Sequence, residues 1–140
     1  MSNANTEARL VVDHMMQHDR FSQWLGIEVL EVQEGSSSIR MKVRDEMVNG
    51  FGIAHGGVAF SLADSAFAFA CNNRNQLSVA LDTSINFIKE VRVGDVLTAS
   101  AKEEHNGRST GLYTIRIVNQ EEKLVAQFKG LCYRTDRKLI

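Results

Sequence analysis

Residues 48–75 read VNGFGIAHGGVAFSLADSAFAFACNNRN, and the division inside this stretch decides the architecture. Its first ten residues hold four glycines, Gly50, Gly52, Gly56 and Gly57, too many for regular structure. From Val58 onward no glycine recurs until Gly94, and Ala, Leu and Phe dominate. The pattern predicts a helix of about 18 residues, apolar nearly all the way round, which other elements must enclose. The asparagine-rich run at 72–75 stops it.

Outward from this helix the periodicities change. Upstream, Leu10, Val11, His14 and Met15, then Phe21 and Trp24 after a polar break at 17–20, have helical spacing. One or two short helices are expected over about 6–25, ending near Gly26. Residues 27–32 form a strand candidate, and Ile39, Met41 and Val43 alternate with Arg40, Lys42 and Arg44 as in a half-buried antiparallel strand. Downstream the pattern is β throughout: 78–88, 96–104, 112–118 and 123–133. Turns are expected at 91–95, at 119–122 and at 105–108, where Asn106-Gly107 suits positive φ. The chain therefore reads as one α+β domain over 1–140, an antiparallel meander of five to six strands wrapped around one long helix. Its free sheet edge suits pairing between two chains.

Composition removes several functions. Sixteen Lys and Arg against seventeen Asp and Glu, with no basic run longer than two, argue against nucleic acid as a partner. The N-terminus lacks the basic-then-apolar build of a signal peptide. The longest apolar stretch, 58–71, is too short to span a bilayer and carries Asp64. Two cysteines without a CxxC, Cys71 and Cys132, read as free core thiols, so a cytoplasmic protein without a membrane partner is expected. No proline occurs, where average usage near 5% would give about seven; turns must rest on Gly, Asn and Asp.

The chemistry concentrates where polar residues enter the apolar segment: Asn49, His55, Asp64 and Ser65. Asp64 has Phe60, Ser61, Phe67 and Ala68 at helical spacing and no local cation, so burial there should raise its pKa and suit general-base work. The alternative is an Asp satisfied by Ser61 or by backbone amides. Gly56-Gly57 at the helix start offers amides that no helical partner uses and that a ligand oxygen can approach closely. Such a terminus makes an oxyanion hole or an anion site, or the glycines simply let the loop turn into a helix. His14, His18 and His105 show no metal-ligand spacing, and no metal site is expected.

The segment VNGFGIAHGGVAFSLADSAFAFACN, followed by a strand ending in NFIKEVRVGD, resembles the hotdog-fold thioesterases, within them the phenylacetic-acid-degradation family. The resemblance covers about residues 21–133. It implies an antiparallel sheet wrapped around a long helix, dimers that pair sheets edge to edge, and commonly a dimer of dimers. It puts the family's carboxylate on Asp64, as base or nucleophile, and the carbonyl-polarising N–H on Gly56. His55 and Asn49 fall on supporting positions, Asn49 orienting water or the carbonyl. Glu90 stands where many relatives carry Pro. Ala80 stands where some carry Ser or Thr, with Thr83 and Ser84 close by.

The activity so implied is hydrolysis of an aryl- or medium-chain acyl-CoA, with CoA as part of the substrate and no separate cofactor. Gly57, Phe60 and Thr83 join the substrate contacts, and Lys89, Arg92, Arg108 and Lys123 are candidates for the CoA phosphates. Phe51, Phe60, Phe67 and Phe69 would line the acyl group. A non-catalytic acyl-CoA binder would not need Asp64, and a hydratase would need a His on the long helix, which has none. Gly56 and Asp64 lie eight residues apart, about 12 Å along one helix. A composite site is therefore expected at a two-fold dimer interface, with Asn49, His55 and Gly56 from one chain and Asp64 from the other.

Overall fold

The computed structural model describes residues 3–140. Helices α1 (Asn3–His18) and α2 (Arg20–Leu25) precede strands β1 (Glu28–Gln33) and β2 (Ser36–Lys42). A 3-10 turn, Asp45–Met47, leads into α3 (Gly56–Asn72), and β3 (Ser78–Phe87), β4 (Val96–Asn106), β5 (Thr110–Val118) and β6 (Leu124–Arg134) complete the chain. The six strands form one antiparallel sheet in the order β1-β2-β4-β5-β6-β3. With α3 packed across its inner face, this is the hotdog fold.

The core follows from the alternation along the strands. Ile39 and Met41 of β2, Leu97 and Ala99 of β4, Ile115 and Ile117 of β5 and Phe128 of β6 all turn inward onto α3. Leu62, Phe67 and Phe69 answer from the helix and are fully enclosed; burial of such a side chain contributes roughly 1.5–3 kcal/mol. Phe67 reaches the sheet because Gly130 of β6 has no side chain: a Cβ there would stand 2.8 Å from the Phe67 ring.

The asparagines that stop α3 also anchor it. Asn72 bonds Ala68 O and both backbone groups of Ser78, while Asn73 bonds Gly35 N, Gln33 O and Ser36 O across the β1–β2 turn. Beside them Arg134, with a side chain only 2% exposed, donates to Cys71 O, Ser78 Oγ, Asn106 Oδ1, Gly107 O and Tyr113 Oη. Cys71 and Cys132 are buried free thiols.

Two local expectations are corrected. The strands after α3 are not a simple meander: β4, β5 and β6 are, but β3 crosses to the far edge and pairs only with β6. The turn expected at 105–108 is displaced, because His105 and Asn106 continue β4, and neither Asn106 nor Gly107 has positive φ. Asn106 is held in the strand by Arg134, and Gly107 N–H closes a wider loop on Thr110 O at 2.8 Å. The outermost strand, β3, leaves Val79, Leu81 and Phe87 exposed, a long apolar edge of the kind proteins seldom leave open. No helix among the described residues is long and apolar enough to cross a membrane.

Candidate active site

The glycine-rich loop is held by its own asparagine. Asn49 Oδ1 accepts the N–H groups of Phe51 (2.9 Å) and Ile53 (3.4 Å), and Asn49 N–H donates to Ile53 O at 2.7 Å. Gly52 supplies the positive φ of +80° that this tight turn needs. The loop is tied down by Ala54 N–H on Val91 O and His55 N–H on Met47 O, both 2.8 Å.

His55 is the N-cap of α3. Its Nδ1 accepts Gly57 N–H at 2.8 Å, which requires the tautomer protonated on Nε2. Val58 N–H donates to His55 O at 2.9 Å. Gly56 N–H is left with no acceptor among the described residues. It lies at the positive end of a 17-residue helix, beside a cavity of about 270 Å³. Asn49, His55, Gly56, Phe87 and Lys89 line that cavity, and a Cβ on Gly56 would meet the Phe87 ring at 3.2 Å.

Asp64 does not enter the core. Gly57, Ser61, Asp64 and Ala68 form the stripe of α3 that the sheet leaves uncovered, and Asp64 is exposed on the single chain. The protein packed about it still excludes enough water to push the carboxyl above its ordinary value, and the Asp19 carboxylate pushes it further. Asp19 caps α2, accepting Ser22 N–H (2.9 Å) and Ser22 Oγ–H (2.6 Å), and Ser22 Oγ meets Ser65 Oγ at 2.8 Å. Ser65 is therefore the buried anchor of α2 on α3. The expectation of a buried Asp64 is corrected: an all-apolar neighbourhood in sequence concealed one face of the helix that a single chain does not cover.

The remaining candidates scatter. Lys89 lines the cavity, and Arg92 lies in the following loop, paired with Glu90. Thr83 faces α3 opposite Gly130, four residues or about 13 Å along β3 from Phe87. Phe60 packs edge-on against Phe128. Arg108 sits with Gln76, Tyr133 and Thr135 near the opposite end of the sheet, and Lys123 pairs with Glu121. Phe67 and Phe69 are core, and Phe51 is 89% exposed at the loop tip, so none of these three lines an acyl cavity on the single chain. Sequence reasoning also missed Phe87, because the strand containing it carried no sign of where it would pair.

Sheet, enclosed helix and capped glycine turn together define a hotdog-type acyl-handling domain. The chain belongs to the thioesterase superfamily, whose model matches residues 51–126. It is 43% identical to the acyl-coenzyme A thioesterase PaaI of Escherichia coli over 86% of each chain. Human acyl-coenzyme A thioesterase 13 is 27% identical, over 91% of this chain and 94% of its own. The structure of the E. coli PaaI protein, from the phenylacetic acid degradation operon, superposes with a TM-score of 0.95 at 39% identity, covering 97% and 99% of the two chains. A Streptococcus mutans protein bound to acetyl CoA has a TM-score of 0.77 at 27% identity, covering 80% and 90%.

Proposed function

We propose that this protein hydrolyses an aryl- or medium-chain acyl-CoA, of the phenylacetyl-CoA kind, to the free acid and CoA. The observation that carries the reading is the Gly56 N–H at the head of α3, without an acceptor among the described residues and beside the cavity, available to an oxygen that gains negative charge. The relatives named above act on acyl-CoA by their names, which supports the substrate class.

In this reading the thioester carbonyl oxygen accepts Gly56 N–H. The Asp64 carboxylate takes a proton from water as the water oxygen bonds to the carbonyl carbon. The resulting oxyanion is held by the amide and the helix dipole. It collapses, the C–S bond breaks, and the proton passes to the departing CoA thiolate. In the nucleophilic variant the carboxylate oxygen attacks the carbonyl carbon, the C–S bond breaks and CoA leaves as the thiolate. Water then opens the resulting anhydride to the free acid and the Asp64 carboxylate, its proton passing to the thiolate. Asn49 has its Oδ1 committed to the loop, leaving its Nδ2–H₂ as a donor toward carbonyl or water. Lys89 on the cavity wall is the counter-charge for CoA phosphates in this reading, with Arg92 in the following loop held by Glu90.

Two observations favour a homodimer with a shared site. Gly56 and Asp64 of one helix lie about 12 Å apart, beyond the roughly 3 Å contacts that one carbonyl needs on both sides. The uncovered α3 stripe bearing Asp64 and the apolar edge of β3 are both surfaces that a second copy would cover. Asp64 of one protomer would then face Gly56, His55 and Asn49 of its partner. A panel of acyl-CoAs with a thiol reagent tests the activity: release of free thiol from phenylacetyl-CoA is expected, and no release from any acyl-CoA would overturn the reading.

A further inference from the structure

We propose that the groove between α2 and the head of α3 is the acyl subsite, in which Phe21 and Trp24 select a planar aromatic acyl group. This rests on the thioesterase reading, and adds where the acyl half of the substrate goes once its carbonyl oxygen is on Gly56 N–H.

Two cavities meet at the capped turn. The one holding Gly56 N–H also carries Asn49 and Lys89, polar groups suited to the pantetheine side. The other is an open groove of about 340 Å³ lined by Phe21, Trp24, Met47, Val48, Gly57 and Ser61. His55 lines both. A thioester has two arms, and a carbonyl at this turn can send one into each. Through Gly57 and Ser61 the groove opens on the uncovered α3 stripe, which in the proposed dimer faces the second copy, so an acyl group seated there would lie beside the carboxylate that the second copy supplies.

The groove wall is aromatic and preformed. Phe21 and Trp24 are each 55% exposed, with ring centroids 6.2 Å apart and planes 24° from parallel. Exposed aromatic area beside a reaction centre is surface that a ligand can cover. Trp24 is fixed from behind: the Arg44 guanidinium lies 5.1 Å over its ring and donates to Trp24 O at 2.7 Å. Helix α2 is pinned at one end by the Asp19–Ser22–Ser65 bonds and at the other by Gly26 N–H on Gln23 O at 3.0 Å. Little ordering remains to be done on binding, which favours a rigid planar group over a flexible chain. The charge is equally selective. Glu46 is the one carboxylate lining the groove, and Arg44 already holds it at 2.9 Å. An acyl group ending in its own carboxylate finds no free cation there.

Trp24 is the only tryptophan in the chain, so its emission reports the subsite directly. The probe is phenacyl-CoA, a thioether that cannot be hydrolysed, titrated into the full-length protein with CoA as control. Saturable quenching of Trp24 by phenacyl-CoA and none by CoA is expected. Phe21→Ala should weaken phenacyl-CoA binding about tenfold, leave CoA binding unchanged and leave the elution volume of the assembly unchanged. The subsite is overturned if phenacyl-CoA binds by calorimetry without altering Trp24 emission, or fails to bind. It is equally overturned if Phe21→Ala weakens both ligands alike or dissociates the assembly. Quenching in a protein that hydrolyses no acyl-CoA would defeat the hydrolytic reading alone. Hydrolysis of phenylacetyl-CoA with silent emission would defeat the subsite alone.

Discussion

His55 Nδ1 accepts the backbone N–H of Gly57 at 2.8 Å, and this bond decides which amide at the head of α3 stays open. With Gly57 taken by the imidazole and Val58 by the His55 carbonyl, the donor left over is Gly56. In the proposed reaction the histidine acts through the turn it holds and carries no proton.

The open amide can be removed without removing the helix. Gly56 is the first residue of α3, where Pro is well tolerated, and His55 at φ −59° and ψ 136° already has the backbone that precedes proline. Gly56→Pro is expected to keep its circular dichroism and lose about 10²–10³ in kcat, the usual effect of deleting an oxyanion donor. Gly56→Ala makes the same 3.2 Å approach to Phe87 but keeps the N–H, and should retain most of the rate.

Asp64→Asn should lower kcat by about 10² or more. Its folded pKa lies above the ordinary value near 3.8, chiefly from burial and then from Asp19. The stability linked to this carboxyl is therefore complete below that value and is lost as pH rises through the folded one. At pH 7 Asp64→Asn should melt no lower than the parent protein. Asp19→Asn keeps a capping side chain for α2 but removes the repelling charge, so the acidic limb of its kcat/KM profile should move to lower pH. An unmoved limb would contradict the coupling.

His55→Ala removes the α3 cap and should cost about 0.5–2 kcal/mol, read from denaturant midpoints. Its rate should fall less than that of Asp64→Asn, since Gly56 N–H survives.

Arg134→Met leaves the buried Cys71 O and Ser78 Oγ without their guanidinium donor and Glu103 with one cation fewer, and should cost about 1–3 kcal/mol in thermal or urea unfolding. Nearby, burial would raise the Glu103 carboxyl, but bonds from Arg74 and Tyr113 outweigh it and hold the pKa below 4.5. That stability is present above about 4.5 and is lost as pH falls through the folded value. Glu103→Gln should flatten the acid side of the stability curve.

Much of this was legible in residue order. The glycine count before Val58, the long apolar run after it and the alternation about Ile39–Met41–Val43 were enough for a helix inside an antiparallel sheet. Local pattern could not say that β3 pairs with β6, because strand order is fixed by which edges remain free after α3 is covered. Nor could it separate Phe67 and Phe69, which pack into the core, from Phe21 and Trp24, which face outward: both pairs lie in segments that read as helix. Asp64 showed the same blindness, its surroundings being apolar in sequence while its face of α3 stays open. The cap was legible only in part, for His55 stood before two glycines, but which amide it would take depended on its rotamer.

In the proposed dimer Gly56 of one protomer and Asp64 of the other serve one site. Co-expression of Gly56→Pro with Asp64→Asn, each inactive alone, decides whether they do. A mixed dimer would hold one site with both lesions and one with neither. Random pairing makes about half the dimers mixed, so roughly a quarter of the parental activity should return. If the two residues served a site within one chain, every site would carry a lesion, and a mixture as inactive as its components would contradict the account.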